Sequence, residues 1–109
     1  MSGNYEHVKL AVALRTARSI VGWSQDELAR NSGIPKITLA RVETLEGSLK
    51  AEHLMKLLSI YKSLGVSVDL GIDGGFHVTV DQRLLDLALA RFKDDANWRA
   101  DRKRERKLL

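Results

Sequence analysis

The chain predicts a mostly α fold: a bundle of four helices, then a β-hairpin and a C-terminal helix. Three observations carry this. Apolar residues recur at helical spacing in the segments before Gly65. The run "SQDELARNSGIPKITLARVE", Ser24 to Glu43, hinges two short amphipathic segments at a single glycine. After Gly65 the apolar period drops from helical to two.

Leu10, Ala13, Leu14, Ala17 and Val21 set the first helix over Val8–Val21, with residues 1–6 a loose start and Gly22 a stop. Ser24 opens the second helix, with Glu27 three residues on. In this capping box the hydroxyl accepts from the Glu27 amide and the carboxylate accepts from the Ser24 amide. Trp23 and Leu28 suit a hydrophobic staple across the cap, and Gly33 can take the left-handed conformation just past Ser32. The second helix is thus barely two turns.

Pro35 is expected at the first position of a third helix running to about Leu45, after which "EGSLK" is a loop. The fourth helix spans roughly Ala51–Leu64, with Leu54, Leu57, Leu58 and Tyr61 on one face. In "VSVDLGI" the residues Val66, Val68, Leu70 and Ile72 alternate with small or polar ones, and in "FHVTV" so do Phe76, Val78 and Val80. "DGG" between them is a turn signal. Asp81 can cap a last helix striped by Leu84, Leu85, Ala88, Leu89 and Phe92, and beyond Lys93 the chain turns polar.

At 109 residues the chain suits one domain or a small domain with appendages: residues 1–65, then 66–93, then a charged tail over 94–109. No cysteine is present, which excludes disulfides and thiolate metal sites and fits a reducing cytosol. The N-terminus shows no signal peptide, and no apolar run approaches the ~20 residues a bilayer crossing needs. His7, His53 and His77 match no metal-ligand spacing, and there is no nucleophile elbow or phosphate-cradling glycine loop. No catalysis and no cofactor are expected. The net charge of +4 permits a polyanionic partner. Five basic residues crowd "DRKRERKLL", either a solvated end or a basic arm adding phosphate contacts.

On a helical wheel the third helix separates two faces. Pro35, Leu39 and Val42 point to a core, whereas Lys36, Ile37, Ala40, Arg41 and Thr44 point away. That outer face holds two cations, a hydroxyl, an aliphatic side chain and an alanine that lets a surface come close. Arginine can pair with guanine bidentately, lysine reaches the same acceptors, and an aliphatic group can touch a thymine methyl.

With Gln25, Leu28, Ala29, Gly33, Ile34, Thr38, Leu39, Val42 and Glu43 at their spacing, roughly residues 8–66 resemble the helix-turn-helix domains of the lambda-repressor/Cro, or xenobiotic-response-element, family. The resemblance implies that Gln25 binds a phosphate at a helix N-terminus, that Lys36, Ile37 and Arg41 read bases, and that Thr44 meets the backbone. It also implies a structural ion pair between Arg18 and Glu43. Pro35 departs from the family's small hydroxyl cap, which puts a phosphate contact there in doubt. The partner implied is double-stranded DNA, bound by a homodimer on a pseudo-palindromic operator as a transcriptional repressor.

Residues 66–92 are expected to form the two-fold interface, through Val66, Val68, Leu70, Phe76, Val78, Val80, Leu85 and Leu89. The competing expectation is that hairpin and helix fold back on their own bundle. A strand directly after the fourth helix also resembles the antitoxins of Hip-type toxin–antitoxin modules. An autorepressing antitoxin holding a toxin is therefore the alternative, and a partner such as a toxin or antirepressor accompanies it.

Overall fold

A computed structural model describes residues 2–71 and 73–108. The order is α1 (Ser2–Val21), α2 (Gln25–Ser32), α3 (Lys36–Glu43), α4 (Ala51–Ser63), β1 (Val66–Asp69), β2 (His77–Val80) and α5 (Gln82–Leu108). The mostly helical bundle with a following hairpin and last helix is the fold the sequence predicts.

One core holds the elements together. Leu14, Ala17 and Val21 of α1 meet Leu28, Ile34, Leu39, Val42, Leu57 and Tyr61. Val66 and Leu84 enter the same cluster, with Val68, Val78 and Val80 packed against it. Core packing is therefore continuous across Gly65.

Local chemistry explains most element ends. The capping box is complete: Ser24 Oγ accepts from the Glu27 amide at 3.1 Å, and Glu27 Oε1 accepts from the Ser24 amide at 3.2 Å. Gly33 takes φ +73° and donates its amide to the Ala29 carbonyl, closing α2. Asp81 Oδ1 accepts the Arg83 amide at 2.9 Å and so caps α5.

Several boundaries differ from expectation. α1 begins at Ser2 rather than Val8. Its first half is tied down from afar: the Tyr5 hydroxyl donates to the Gly74 carbonyl, and Lys9 Nζ donates to the Leu70 carbonyl at 2.7 Å. Pro35 stands one residue before α3, with ψ 138°, and is exposed rather than core-facing. Ile34, 1% exposed, is the anchor in its place, its amide held by the buried Ser32 hydroxyl at 3.1 Å. α3 stops at Glu43 because Leu45 turns left-handed, φ +66°. The Glu46 and Leu45 amides then close the end on the Arg41 and Val42 carbonyls, a Schellman arrangement with leucine in the usual glycine place.

The hairpin strands are short, pairing Val66 with Val80 through Asp69 with His77. Leu70 and Phe76, expected inside strands, lie in the connection, whose ends are drawn toward α1 by the Tyr5 and Lys9 bonds; Ile72 lies outside the described residues. The valines face the helices and Ser67, Asp69, His77 and Thr79 face outward. The apolar stripe of α5 divides: Leu84 is buried, Ala88 is half-buried, and Leu85, Leu89 and Phe92 are exposed. Past Lys93 the backbone stays helical to Leu108.

Candidate nucleic-acid interface

The third helix is held by one side. Leu39 and Val42 sink into the core at 3% and 5% exposure, together with Ile34 just ahead of it. Only eight residues long, α3 cannot stand alone in water, so its orientation is set by these anchors.

Glu43 supplies a polar anchor. Its carboxylate, 5% exposed, receives Arg18 Nε at 3.2 and 3.1 Å and Nη2 at 2.8 Å, so the two side chains meet fork to fork. Arg18 Nη1 also donates to the Trp23 carbonyl at 3.0 Å, joining α1, the α1–α2 turn and the end of α3. The Glu43 hydrogen bond holds the Arg18 guanidinium in its charged form more firmly than usual, against the opposing effect of burial. Tyr61 lies beside this pair. Burial pushes its phenol well above the ordinary range, the Glu43 charge acts the same way, and its buried hydroxyl has no partner among the described residues.

The other side of α3 is open. Ile37 is 59% exposed, and Arg41 and Thr44 are exposed with it, one helical turn after another. Ala40 is half-buried between them. The Thr44 hydroxyl turns back to donate to the Ala40 carbonyl at 2.9 Å, leaving its oxygen as an acceptor. Lys36 is also exposed, yet its Nζ lies 3.1 Å from Asp26 on α2, a pairing that sequence order did not suggest. Gln25, at the first position of α2, is half-buried. Lys36, Ile37, Arg41 and Thr44 are thus brought onto one projecting surface by two short helices and the Gly33 turn.

A family model described as Helix-turn-helix matches residues 14–68, just over half of the chain. The chain belongs to the lambda-repressor/Cro-like helix-turn-helix family. Comparison with curated proteins and with solved structures returned no match. As a member of this family it is a DNA-binding transcription regulator of the xenobiotic-response-element type, a regulatory rather than an enzymatic class. The matched segment includes the capping box, the Gly33 turn, all of α3 and the Arg18–Glu43 pair.

The residues expected to self-associate fall into three groups in this helix-turn-helix protein. Val66 is fully buried, and Val68, Val78 and Val80 pack on the protomer's own core. Leu85 and Leu89 are 59% and 52% exposed. Leu70 and Phe76 are half-buried in the hairpin connection. No helix among the described residues is long and apolar enough to cross a membrane.

Proposed function

We propose that the protein is a dimeric repressor that reads a pseudo-palindromic operator, laying α3 of each protomer into the major groove. The observation that carries this is the one-sided anchoring of α3: three buried apolar residues and an ion pair hold it from behind, while Ile37 and Arg41 project without cover. Arg41 has the length and the fork to pair with a guanine, and Ile37, one turn earlier, presents an aliphatic surface for a thymine methyl. Lys36 and Thr44 supply flanking contacts, and Gln25 offers a polar side chain at the start of α2, where the helix dipole favours a phosphate.

One such unit contacts too few base pairs for useful affinity, so two copies working half-sites about 34 Å apart complete the reading. In this reading the bound dimer represses by occluding polymerase. Its compartment in this reading is the bacterial cytoplasm, on the nucleoid. Footprinting on the DNA upstream of its own gene tests the proposal: paired protections one helical turn apart are expected. Affinity indifferent to sequence at moderate salt would sink it.

The antitoxin alternative draws on one observation. β1 starts at Val66, directly after α4, and a groove of about 590 Å³ opens beside it, lined by Met55, Leu58, Val68 and Leu70 among others. A co-purifying toxin seated there would favour this reading.

A further inference from the structure

The exposed apolar side of α5 has heptad order. Leu85, Leu89, Phe92 and Ala96 follow one another at spacings of four, three and four residues, the a/d rhythm of a coiled-coil seam. The first three are 59%, 52% and 69% exposed, and Ala96 is exposed as well. The protomer uses a different side of the same helix: Leu84 is buried in the core, and Arg91 Nη1 donates to the Val21 carbonyl at 2.9 Å. At about 100° per residue the seam lies roughly a quarter turn from that inner side. Among the described residues it is therefore a second, uncovered face.

We propose that this seam is covered by α5 of a second copy, running antiparallel across a two-fold axis between Ala90 and Arg91. This deepens the dimer reading above and rests on it. The charges beside the seam select the arrangement. With Leu89 opposite Phe92 and Leu85 opposite Ala96 of the other copy, Asp86 of each chain faces Lys93 of the other, twice across the axis. Sliding the helices by one heptad in one direction sets Asp86 against its own copy, and in the other direction sets Lys93 against its own copy. A parallel pairing sets Lys93 beside Ala88 and brings Asp86 only toward Asp81, the cap residue just before the helix whose carboxylate Arg83 already holds. Of these arrangements, only the first brings opposite charges together, and it also pairs a large side chain with a small one at its ends.

Sedimentation equilibrium on the full chain tests this by charge exchange. Asp86→Lys and Lys93→Asp each set like charges across the axis and are expected to raise the dimer dissociation constant about tenfold. The double variant restores the pairing and returns the constant close to the unsubstituted value. These side chains are solvent-exposed, so circular dichroism should show all three variants folded. The chain has no cysteine, which permits an orientation probe. Mixing a Leu85→Cys chain with an Ala96→Cys chain is expected to give a disulfide-linked pair, while neither alone links to itself. Self-linking of the Leu85→Cys chain, or a tighter dimer from Asp86→Lys, overturns the antiparallel order. A dimer unaffected by Phe92→Arg and by the charge exchanges overturns the seam but leaves the dimer reading standing. A chain that stays monomeric at every concentration removes both.

Discussion

Arg91 lies against Gly22 so closely that any β-carbon there would collide with its guanidinium, which donates to the adjacent Val21 carbonyl. Val21 ends α1, and its carbonyl is one of the acceptors a helix leaves unpaired at its C-terminus. A charged donor from a helix seventy residues away thus closes α1 and pins α5 beside it. Gly22 also takes φ +81°, which L side chains adopt only under strain. Gly22→Ala should therefore destabilise by more than the ~1 kcal/mol of backbone strain, because Arg91 must also be displaced. In a cycle with Arg91→Ala followed by urea melts, the two losses should be markedly less than additive.

How much of this was legible depended on distance along the chain. The capping box at Ser24 and Glu27 and the Gly33 turn involve residues within four positions of each other, so the sequence alone carries them. The end of α3 was not legible, because leucine is a poor residue for the left-handed conformation that Leu45 adopts. The hairpin was recognised by its period, yet its strands end early, with Leu70 and Gly74 engaged by Lys9 and Tyr5 more than sixty residues away. The stripe on α5 was visible, but which leucine enters the core depends on how that helix docks. On the reading surface, the residue types were plain. The Asp26–Lys36 pairing was not, since it crosses between two helices.

The Arg18–Glu43 pair should matter more than a surface ion pair, because the carboxylate is nearly buried while Arg18 is still 23% exposed. Glu43→Gln keeps the shape and removes the charge, leaving the arginine only partly compensated. A loss of about 1–3 kcal/mol is expected in chemical denaturation, the upper values for fully buried pairs being reduced by solvent at Arg18. Restoring the acid as aspartate, one methylene shorter, should recover only part of it.

Tyr61→Phe should leave stability unchanged or raise it, since the hydroxyl it removes is buried and makes no hydrogen bond among the described residues. Alkaline melts add a sign test. The folded-state pKa of Tyr61 is raised above the ordinary 10.0, chiefly by burial, so the contribution is fully present below pH 10 and is lost as pH climbs beyond it. The unfolding free energy of the unsubstituted protein should decline with rising pH in that range more steeply than that of Tyr61→Phe. Parallel curves would show that this phenol is not the group responsible.

At the acid end the N-terminal caps should govern. The Ser24 backbone bond holds the Glu27 carboxyl below its usual range, and Arg83 does the same for Asp81. Lowered folded pKa values mean stability that is present above the unfolded carboxylate pKa and is lost as pH falls through the folded one. Ser24→Ala should cost ~1 kcal/mol at neutral pH through the lost hydroxyl cap, whereas Glu27→Gln should flatten the acid limb, because the amide that favours the ionised carboxylate belongs to the backbone and alanine keeps it. Thermal melts between pH 2 and pH 7 measure both effects.

Specific recognition should rest on Arg41 and overall affinity on Lys36, and the two roles separate experimentally. Arg41→Ala should weaken operator binding by ~1–3 kcal/mol and relax the preference at one operator position, which titration against single-base variants reads directly. Lys36 begins paired to Asp26 at 3.1 Å with both side chains more than half exposed, a pair worth less than ~1 kcal/mol, so a phosphate can take the lysine at little cost. Asp26→Asn removes that competitor and one negative charge facing the polyanion. Binding should then tighten about equally for operator and unrelated duplex, and fall more steeply with salt. A gain confined to the operator would instead mean that Asp26 positions Lys36 for a base.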